Sequence, residues 1–332
     1  MKIIVTGGKG FIGSSITEKL LADGHEVHTV GRSSNSAANK SNDQSTHHSL
    51  DLSQKNLPPA LAAGTDIIFH VAAKAGVWGK YSEFHNANVK ATQNIIAACG
   101  AYSIPKLIYT SSPSVVFSGY PIRNGEESLP YGATGMSAYA RTKALAEKEI
   151  LSANTVGKLQ TIALRPHLVW GKGDPHLLPR VIKRHKSAKL RLVGNGNNQV
   201  DLTHIDNVAH AHICAMGALL KDANLGGKAY FIGQGEQVNL WNWLNQIFQS
   251  IELPLLSKKL SFRKAFFMGF LLEGIWRILR LAGEPPMTRF VACQLSHDHY
   301  FSIKSAEKDL GYRPIKNMNT ALQETIPWLR SL

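Results

Sequence analysis

The sequence predicts an α/β fold that combines a doubly wound parallel sheet with a smaller, mainly helical C-terminal region. From residue 2 to about 165, short β-rich runs alternate with helical patterns, an order typical of parallel sheets with right-handed crossovers. After about residue 173 this alternation ends. The chain has 332 residues, 44% hydrophobic and 18% charged, so it can bury a large core, and disordered, collagen-like and coiled-coil classes are excluded.

The β-rich runs and the helical patterns account for the N-terminal half in chain order. The predicted strands are residues 2–6, 26–30, 66–71, 106–112 and 161–164. The predicted helices run from the first glycines through Asp23, near 86–100 and near 137–154. Residues 33–49 are rich in Ser and Asn and are predicted to form a surface loop. One more β-like run, 228–232, can rejoin the sheet.

A motif with glycines at a spacing of three follows the first strand and opens the first helix: Gly7, Gly10, Phe11, Ile12 and Gly13. Small residues there allow a tight turn, the approach of a pyrophosphate to the helix N-terminus, and close packing of helix on strand. We therefore expect a Rossmann domain that binds a dinucleotide. It is predicted to comprise residues 1–172 with a return segment at about 204–232, leaving 173–203 and 233–332 as the substrate-binding region.

An arginine stands where an NAD-binding unit places an acidic residue. The second strand is followed by Gly31, Arg32 and Ser33. A carboxylate would repel a 2′-phosphate, whereas Arg32 can pair with it and Ser33 can donate a hydrogen bond to it. We therefore expect NADP(H) to be the preferred cofactor, with NAD(H) as the alternative. The competing interpretation is that Arg32 is an ordinary surface cation.

Tyr139 and Lys143 are predicted to share one face of a helix, because they are four positions apart. An ammonium beside a phenol lowers the phenol pKa from about 10, so that Tyr139 can donate a proton to a ketone oxygen. Ser112 ends a strand and can hold that oxygen as charge develops on it, while strand alternation sends Ser111 to the opposite face. The competing interpretation is a packed Tyr and a turn-forming Ser.

Together with Leu164-Arg165-Pro166, these motifs resemble an extended short-chain dehydrogenase/reductase of the 3β-hydroxysteroid dehydrogenase-like branch, and further matches extend over essentially the whole chain. The resemblance implies that Ser112 is the catalytic hydroxyl, Tyr139 the acid and Lys143 its ribose-binding partner. It implies a cofactor site made of Gly7, Gly10, Phe11, Ile12, Gly13, Arg32, Ser33, Asp51, Leu52, Ala72, Ala73, Tyr139, Lys143 and Pro166. It implies no metal.

Within this branch, residues 73–79, 113–116, 165–171 and 286–290 look most like the β-keto acid reductases of bacterial long-chain olefin biosynthesis, which often have Thr at the position of Ser112. This resemblance implies NADPH-dependent reduction of a 2-alkyl-3-oxoalkanoate to a 2-alkyl-3-hydroxyalkanoate. The candidate substrate residues are Trp78, Ser114 and His167, although His167 is equally interpretable as a core histidine. The alternatives are a 3β-hydroxysteroid dehydrogenase, a nucleotide-sugar epimerase, and a non-catalytic NADP(H)-binding regulatory protein.

The net charge of +14 is concentrated in two basic segments. Residues 180–191 carry six Lys and Arg and no acid, which fits a solvated helix face or an anion-attracting rim. Residues 258–282 interleave cations with aromatic and aliphatic side chains. This second segment is predicted to contact an anionic membrane or partner enzymes, to cover a hydrophobic substrate, or to pack in the core or a homodimer interface. Nucleic acid is not needed to explain the charge.

The cysteines and the apolar runs of the sequence predict the compartment of the protein. Cys99, Cys214 and Cys293 are far apart and form no C-x-x-C pair, which favours a reducing compartment. The apolar run at the N-terminus is too short for a signal peptide core, and no uninterrupted apolar run reaches the length of a membrane span. We expect a cytoplasmic homodimer that binds a hydrophobic small molecule, with peripheral contact at the inner face of the membrane as a further prediction.

Overall fold

A seven-stranded parallel sheet forms the centre of the protein in the computed structural model, which describes residues 1–32, 45–132 and 135–332. In those ranges the strands are β1 (Lys2–Thr6), β2 (Glu26–Gly31), β3 (Thr46–Ser49), β4 (Ile67–His70), β5 (Lys106–Thr110), β6 (Ile122–Gly125), β7 (Gln160–Pro166), β8 (Val169–Trp170), β9 (Leu192–Val193), β10 (Gln199–Asp201), β11 (Thr203–His204), β12 (Lys228–Ile232), β13 (Gln237–Asn239), β14 (Lys259–Leu260) and β15 (His299–Phe301).

The helices surround this sheet and build the C-terminal region. They are α1 (Phe11–Ala22), α2 (Pro59–Ala62), α3 (Tyr81–His85), α4 (Ala91–Ala101), α5 (Ala138–Ser152), α6 (Leu178–Lys186), α7 (Ile205–Lys221), α8 (Leu240–Ser250), α9 (Phe262–Ile278), α10 (Arg289–Ser296), α11 (Lys304–Leu310) and α12 (Met318–Arg330). A π-helical stretch, Asn86–Lys90, joins α3 to α4.

The strand order of the large sheet is β12-β7-β5-β4-β1-β2-β3, and every neighbouring pair is parallel. The chain builds from β1 toward β3 on one side and from β4 toward β12 on the other. The order therefore reverses between β1 and β4, and ligands of open α/β sheets bind in the crevice that this reversal leaves at the carboxyl ends of the strands. The predicted doubly wound fold and the return of the strand Lys228–Ile232 to the sheet are confirmed.

The predicted surface loop at 33–49 is wrong at its C-terminal end. Thr46–Ser49 forms β3, which pairs with β2 from His28 to Gly31. The Thr29 hydroxyl and His47 Nδ1 share a 2.9 Å hydrogen bond across this pair. The polar side chains of this segment led to the prediction of a loop. An edge strand with one partner does not need the apolar pattern of a buried strand. Residues 33–44 of the predicted loop lie outside the described residues.

A second apolar core lies in the C-terminal region. Trp170, Trp241 and Trp243 are buried in it, together with aliphatic side chains of α6 and α8. A four-stranded sheet, in the order β13-β10-β15-β6, accompanies this core. Because β6 precedes the predicted boundary at residue 172, both parts of the chain contribute strands to the smaller sheet. The domain limits given above stay a prediction.

Among the helices in the described ranges, none is both long enough and apolar enough to cross a bilayer.

Candidate active site

The turn between β1 and α1 requires glycine for steric reasons. Gly7 has φ +68°, a left-handed conformation that side chains disfavour. A Cβ atom at Gly13 would lie 2.2 Å from the Gly7 carbonyl oxygen, and one at Gly7 would lie 2.9 Å from the Ala72 Cα. The first N–H groups of α1, which begins at Phe11, have no intrahelical acceptors. This close-packed turn beside a helix N-terminus fits the pyrophosphate of a dinucleotide.

The loop after β4 is held against the glycine turn by a buried hydroxyl. Thr6 Oγ1 accepts hydrogen bonds from the backbone N–H groups of Val71 and Ala72, both at 3.1 Å. The same hydroxyl shares a 2.8 Å hydrogen bond with His70 Nδ1. Burial lowers the pKa of His70 to about 3, so its ring is neutral at physiological pH. The predicted cofactor residues Ala72 and Ala73 therefore lie at the switch point of the sheet.

The predicted adenosine side of the site lies at the ends of β2 and β3. Arg32 is exposed directly after β2, and Asp51 and Leu52 follow β3. A 2.6 Å hydrogen bond from the Ser53 hydroxyl, together with the nearby charge of Arg32, holds the pKa of Asp51 below its usual range. The Arg32 guanidinium is thus available to solvent and close to a carboxylate. The predicted contact of Ser33 falls outside the described residues.

The Ser112 hydroxyl lies near enough to the Tyr139 phenol to favour its ionised form, although the two residues lie in different elements. Ser112 follows β5 and caps a short 3₁₀ turn, Pro113–Val116, by accepting from the Ser114 N–H at 3.2 Å. Tyr139 is in the first turn of α5, whose start is capped by the Ser137 side chain. The structure therefore brings together the hydroxyl and the phenol that the sequence pairs as an oxygen-binding group and an acid.

The pKa of Tyr139 differs from the sequence expectation. Burial raises it above its usual value, and the nearby Ser112 hydroxyl opposes this rise. Lys143 Nζ donates to the Thr110 carbonyl oxygen at 2.6 Å and lies 4.1 Å from the centre of the Tyr109 ring. Burial lowers the pKa of Lys143 itself to about 7. The predicted lowering of the phenol pKa by Lys143 is therefore wrong, because burial disfavours both charged forms.

The three candidate substrate residues lie in different environments. The Trp78 ring is half-buried, with its centre 5.2 Å from the guanidinium carbon of Arg277. Ser114 Oγ is buried and has no hydrogen-bond partner among the described residues. The Nδ1 atom of His167 bonds to Asp201, and its Nε2 atom lies 3.1 Å from His299 Nδ1. Both ring nitrogens of His167 are thus engaged inside the protein, which favours the core interpretation.

An apolar wall is built from the segments that flank Ser112 and Tyr139. Phe117 follows the 3₁₀ turn after Ser112, and its ring contacts Phe290 edge-on with centres 4.8 Å apart. Partly buried side chains complete this wall: Val77, Met136, Phe262, Phe266 and Val291. Met136 lies just before α5, and Val77 lies in the loop after β4. The wall therefore joins the loop after β4 to the start of the helix that carries Tyr139. Phe117 and Phe290 are buried, whereas the partly buried members of the wall keep some apolar surface accessible.

A family model described as the 3-beta hydroxysteroid dehydrogenase/isomerase family matches residues 4–262. The chain belongs to this family. It is 42% identical to the 2-alkyl-3-oxoalkanoate reductase of Stenotrophomonas maltophilia (strain K279a) over 325 residues, covering 97% of this chain and 98% of that protein. It is 34% identical to the sterol-4-alpha-carboxylate 3-dehydrogenase, decarboxylating, of Mus musculus, covering 98% of this chain and 90% of that protein.

Solved structures share the fold of this 3-beta hydroxysteroid dehydrogenase/isomerase family member. The UDP-glucuronic acid 4-epimerase of Bacillus cereus in complex with NAD matches with a TM-score of 0.74 at 23% identity, covering 100% of this chain and 99% of that one. The predicted Rossmann fold and the predicted membership of the extended short-chain dehydrogenase/reductases are confirmed. The protein is accordingly an oxidoreductase of a nicotinamide-dependent family.

Two buried residues of this family member have positioning contacts that the sequence interpretation did not include. Asn88, in the π-helical stretch, accepts from the Lys74 N–H at 2.7 Å and donates to the Thr142 hydroxyl at 3.0 Å. It therefore joins the loop after β4 to α5. Glu147 accepts from Arg165 Nη2 at 2.6 Å and from the Tyr131 hydroxyl at 2.8 Å. The one sequence signal for Glu147 is its helical spacing from Lys143.

The basic segment of α6 is partly tied to the chain after α9. Arg180 forms a 2.7 Å ion pair with Glu284, and Arg184 Nη2 donates to the Pro286 carbonyl oxygen at 2.6 Å. Glu284 also lies close to Gly76 in the loop after β4, since a Cβ atom there would lie 3.9 Å from its carboxylate. The predicted anion-attracting rim thus borders the same loop that carries Trp78.

Proposed function

We propose that this protein reduces the 3-oxo group of a hydrophobic 2-alkyl-3-oxoalkanoate with NADPH and forms the 2-alkyl-3-hydroxyalkanoate. The observation that carries the proposal is the approach of the Ser112 hydroxyl to the Tyr139 phenol, in segments that also contribute Phe117 and Met136 to the apolar wall. A ketone oxygen can bind to the two hydroxyls while an alkyl chain packs on the partly buried side chains of the wall. The 42% identity with a bacterial protein named for this reaction supports the assignment.

The chain's own groups supply proton transfer and orientation in this reaction. Bound NADPH would supply the hydride for the carbonyl carbon. Tyr139 gives its phenolic proton to the carbonyl oxygen, and its raised pKa keeps that proton in place at neutral pH until the oxygen becomes basic. Ser112 donates a hydrogen bond to the same oxygen as negative charge develops there. The C=O double bond thereby becomes a C–O single bond, with a new C–H bond formed by the hydride and a new O–H bond formed by the proton of Tyr139.

The cofactor is proposed to lie along the carboxyl edge of the sheet. The glycine turn and the N-terminus of α1 would hold the pyrophosphate, Asp51 and Leu52 the adenine, and Arg32 the 2′-phosphate. Lys143 would bind the nicotinamide ribose, because its Nζ is held by the Thr110 carbonyl beside the catalytic pair and has further donors to offer. Ala72, Ala73 and Pro166 would line the nicotinamide side.

A panel of ketones tests the reaction directly. The oxidation of NADPH is followed with a 2-alkyl-3-oxo acid, a 3-oxosteroid and a UDP-sugar, and the products are identified by mass spectrometry. We expect turnover of the β-keto acid to the hydroxy acid, and a loss of roughly 10²- to 10⁴-fold in Tyr139→Phe with NADPH binding retained. Activity that survives undiminished in Tyr139→Phe, or turnover restricted to UDP-sugars, contradicts the proposal.

A sterol 3-dehydrogenase activity is the second candidate. It is favoured by the 34% identity with the murine sterol-4-alpha-carboxylate 3-dehydrogenase, decarboxylating. By its name, that enzyme acts at a carbon next to a carboxylate-bearing carbon, so both candidate substrates place a carboxylate at the same distance from the reacting carbon. Preferential turnover of the 3-oxosteroid, or of a 3-hydroxysteroid acid with NADP⁺, would favour this second function. A non-catalytic role is disfavoured by the paired Ser112 and Tyr139.

A further inference from the structure

Helix α9 has a buried inner face and an exposed, apolar outer face. Its inner face is buried against the protein through Ala265, Gly269 and Glu273. The opposite face presents large apolar residues to solvent at successive helical turns: Phe267, Leu271, Ile275 and Ile278. A surface helix of a soluble protein normally exposes polar residues on this side. The outer face of α9, defined by these four residues, is therefore a feature that the fold itself does not explain.

The inner face of α9 is anchored by close backbone packing and by a buried ion pair. A Cβ atom at Gly269 would lie 2.6 Å from the Thr288 carbonyl carbon, so the helix contacts the start of α10 directly. The Glu273 carboxylate accepts from the Arg289 backbone N–H and from Arg289 Nη2, both at 2.7 Å. Turning α9 to bury its outer face would break these contacts. The outer face is therefore held toward solvent.

The exposure of the outer face is large and continues past the helix end. Phe267 is 61% exposed and Ile278 is 82% exposed, and Leu279 and Leu281 extend the apolar surface. Contiguous exposed patches of this kind mark interaction sites. The helix has 17 residues with cations near both ends, so it suits a position in the plane of a membrane interface better than a span.

The charges around the outer face identify its partner. Six exposed cations lie in residues 258–283, namely Lys258, Lys259, Arg263, Lys264, Arg277 and Arg280. The single acid of this segment, Glu273, is buried and paired with Arg289. Two copies that met through this face would bring like charges together, whereas anionic lipid headgroups complement them.

We propose that α9 is an interfacial helix that docks the protein on an anionic lipid surface, with Phe267, Leu271, Ile275 and Ile278 inserted among the acyl chains. The other side of the same helix contributes Phe266 to the apolar wall, and Arg277 contacts Trp78. Docking therefore brings the hydrophobic side of the active site next to the lipid. This proposal does not depend on which ketone the protein reduces.

Vesicle flotation with an apolar variant tests the docking. Vesicles of phosphatidylcholine with and without phosphatidylglycerol are mixed with the wild type and with Phe267→Ser/Leu271→Ser/Ile278→Ser. The matched control is Val156→Ser/Leu220→Ser/Ile315→Ser, which removes three apolar side chains that are exposed elsewhere. We expect the wild type and the control to float with the anionic vesicles, and the α9 variant to float at least tenfold less.

A charge variant and two solution measurements complete the test. Arg263→Gln/Lys264→Gln/Arg280→Gln is expected to weaken flotation with the anionic vesicles, as is added salt. Thermal unfolding and NADPH binding verify that each variant is folded, independently of turnover. Sedimentation of the lipid-free protein is expected to give the same mass for the wild type and the α9 variant. Equal flotation of both proteins, no flotation of the wild type, or an oligomer that dissociates in the α9 variant overturns the proposal.

Discussion

Lys143 Nζ donates a hydrogen bond to the Thr110 carbonyl oxygen over 2.6 Å, which ties α5 to the carboxyl end of β5. The two catalytic candidates are close to these residues in the sequence. Tyr139 lies one helical turn before Lys143, and Ser112 lies two residues after Thr110. The bond thus fixes the distance between the elements that carry the phenol and the hydroxyl. Since Lys143 is 1% exposed, its ammonium charge also lowers the free energy of unfolding.

This burial predicts a pH-dependent stability that Lys143→Met removes. The folded pKa of Lys143 is about 7, below its unfolded value, so between these values the unfolded chain binds more protons. The contribution of Lys143 to the free energy of unfolding therefore increases as the pH rises from 7 to 9. We expect the wild type to gain about 2 kcal/mol over Lys143→Met across this interval in urea unfolding. Parallel pH profiles would contradict the buried, shifted lysine.

Breaking the Glu147–Arg165 pair is expected to destabilise the fold strongly. Both side chains are buried, at 0% and 3% exposure, and the guanidinium binds the carboxylate through Nε and Nη2. Glu147→Gln leaves an uncompensated buried cation and is expected to cost about 3–5 kcal/mol in chemical denaturation. The double variant Glu147→Gln/Arg165→Met is expected to cost less than Glu147→Gln alone. A double variant that is less stable than both single variants would show that the pair does not act in this way.

Gly13→Ala is expected to disrupt the dinucleotide site, because the added Cβ would lie 2.2 Å from the Gly7 carbonyl oxygen. The turn must open, and we predict at least a tenfold weaker affinity for NADPH by fluorescence titration. Gly217→Ala in α7 is the matched control, since its Cβ would meet no atom within 4 Å. It is expected to bind NADPH normally and to gain about 0.5–1 kcal/mol in stability. Equal NADPH affinity in the two variants would exclude a steric role for Gly13.

Arg32→Ala is expected to change cofactor preference rather than overall binding. Arg32 lies exposed at the end of β2, where a 2′-phosphate would reach it. Loss of a charge-assisted pair of about 1.5 kcal/mol corresponds to roughly tenfold weaker NADPH binding, whereas NADH binding is expected to be unchanged. Arg32→Lys keeps the charge without the bidentate geometry and should fall between the two. If the Arg32→Ala titrations weaken NADPH and NADH equally, Arg32 is only a surface cation.

A pair of substitutions at Ser112 separates the hydroxyl from the side-chain shape. Ser112→Ala removes the hydroxyl near the Tyr139 phenol and with it the donor for the carbonyl oxygen. We expect kcat to fall by about 10²- to 10³-fold, with NADPH affinity unchanged. Ser112→Thr retains the hydroxyl and is expected to keep kcat within about tenfold of the wild type. A similar loss of kcat in both variants would indicate a packing role for Ser112.

Patterns within short segments were sufficient to predict six of the seven strands of the large sheet and several features of the site. The strand–helix alternation, the glycine turn at Gly7 and Gly13, and the spacing of Tyr139 and Lys143 depend on neighbours within a few residues. The carboxyl ends of parallel strands necessarily share one edge. The order of strands and helices therefore indicated that Ser112 and the glycine turn lie at the same carboxyl edge of the sheet. These features also carry the resemblance to the family.

Contacts between distant parts of the chain account for what those patterns missed. Thr46–Ser49 becomes a strand only because β2 offers it a free edge, and both ring nitrogens of His167 are engaged by Asp201 and His299. The pKa of Tyr139 rises rather than falls, because desolvation depends on everything packed around the phenol. Local periodicity thus determines the elements and their order, whereas burial, charge state and hydrogen-bond partners arise only when segments far apart in the chain meet.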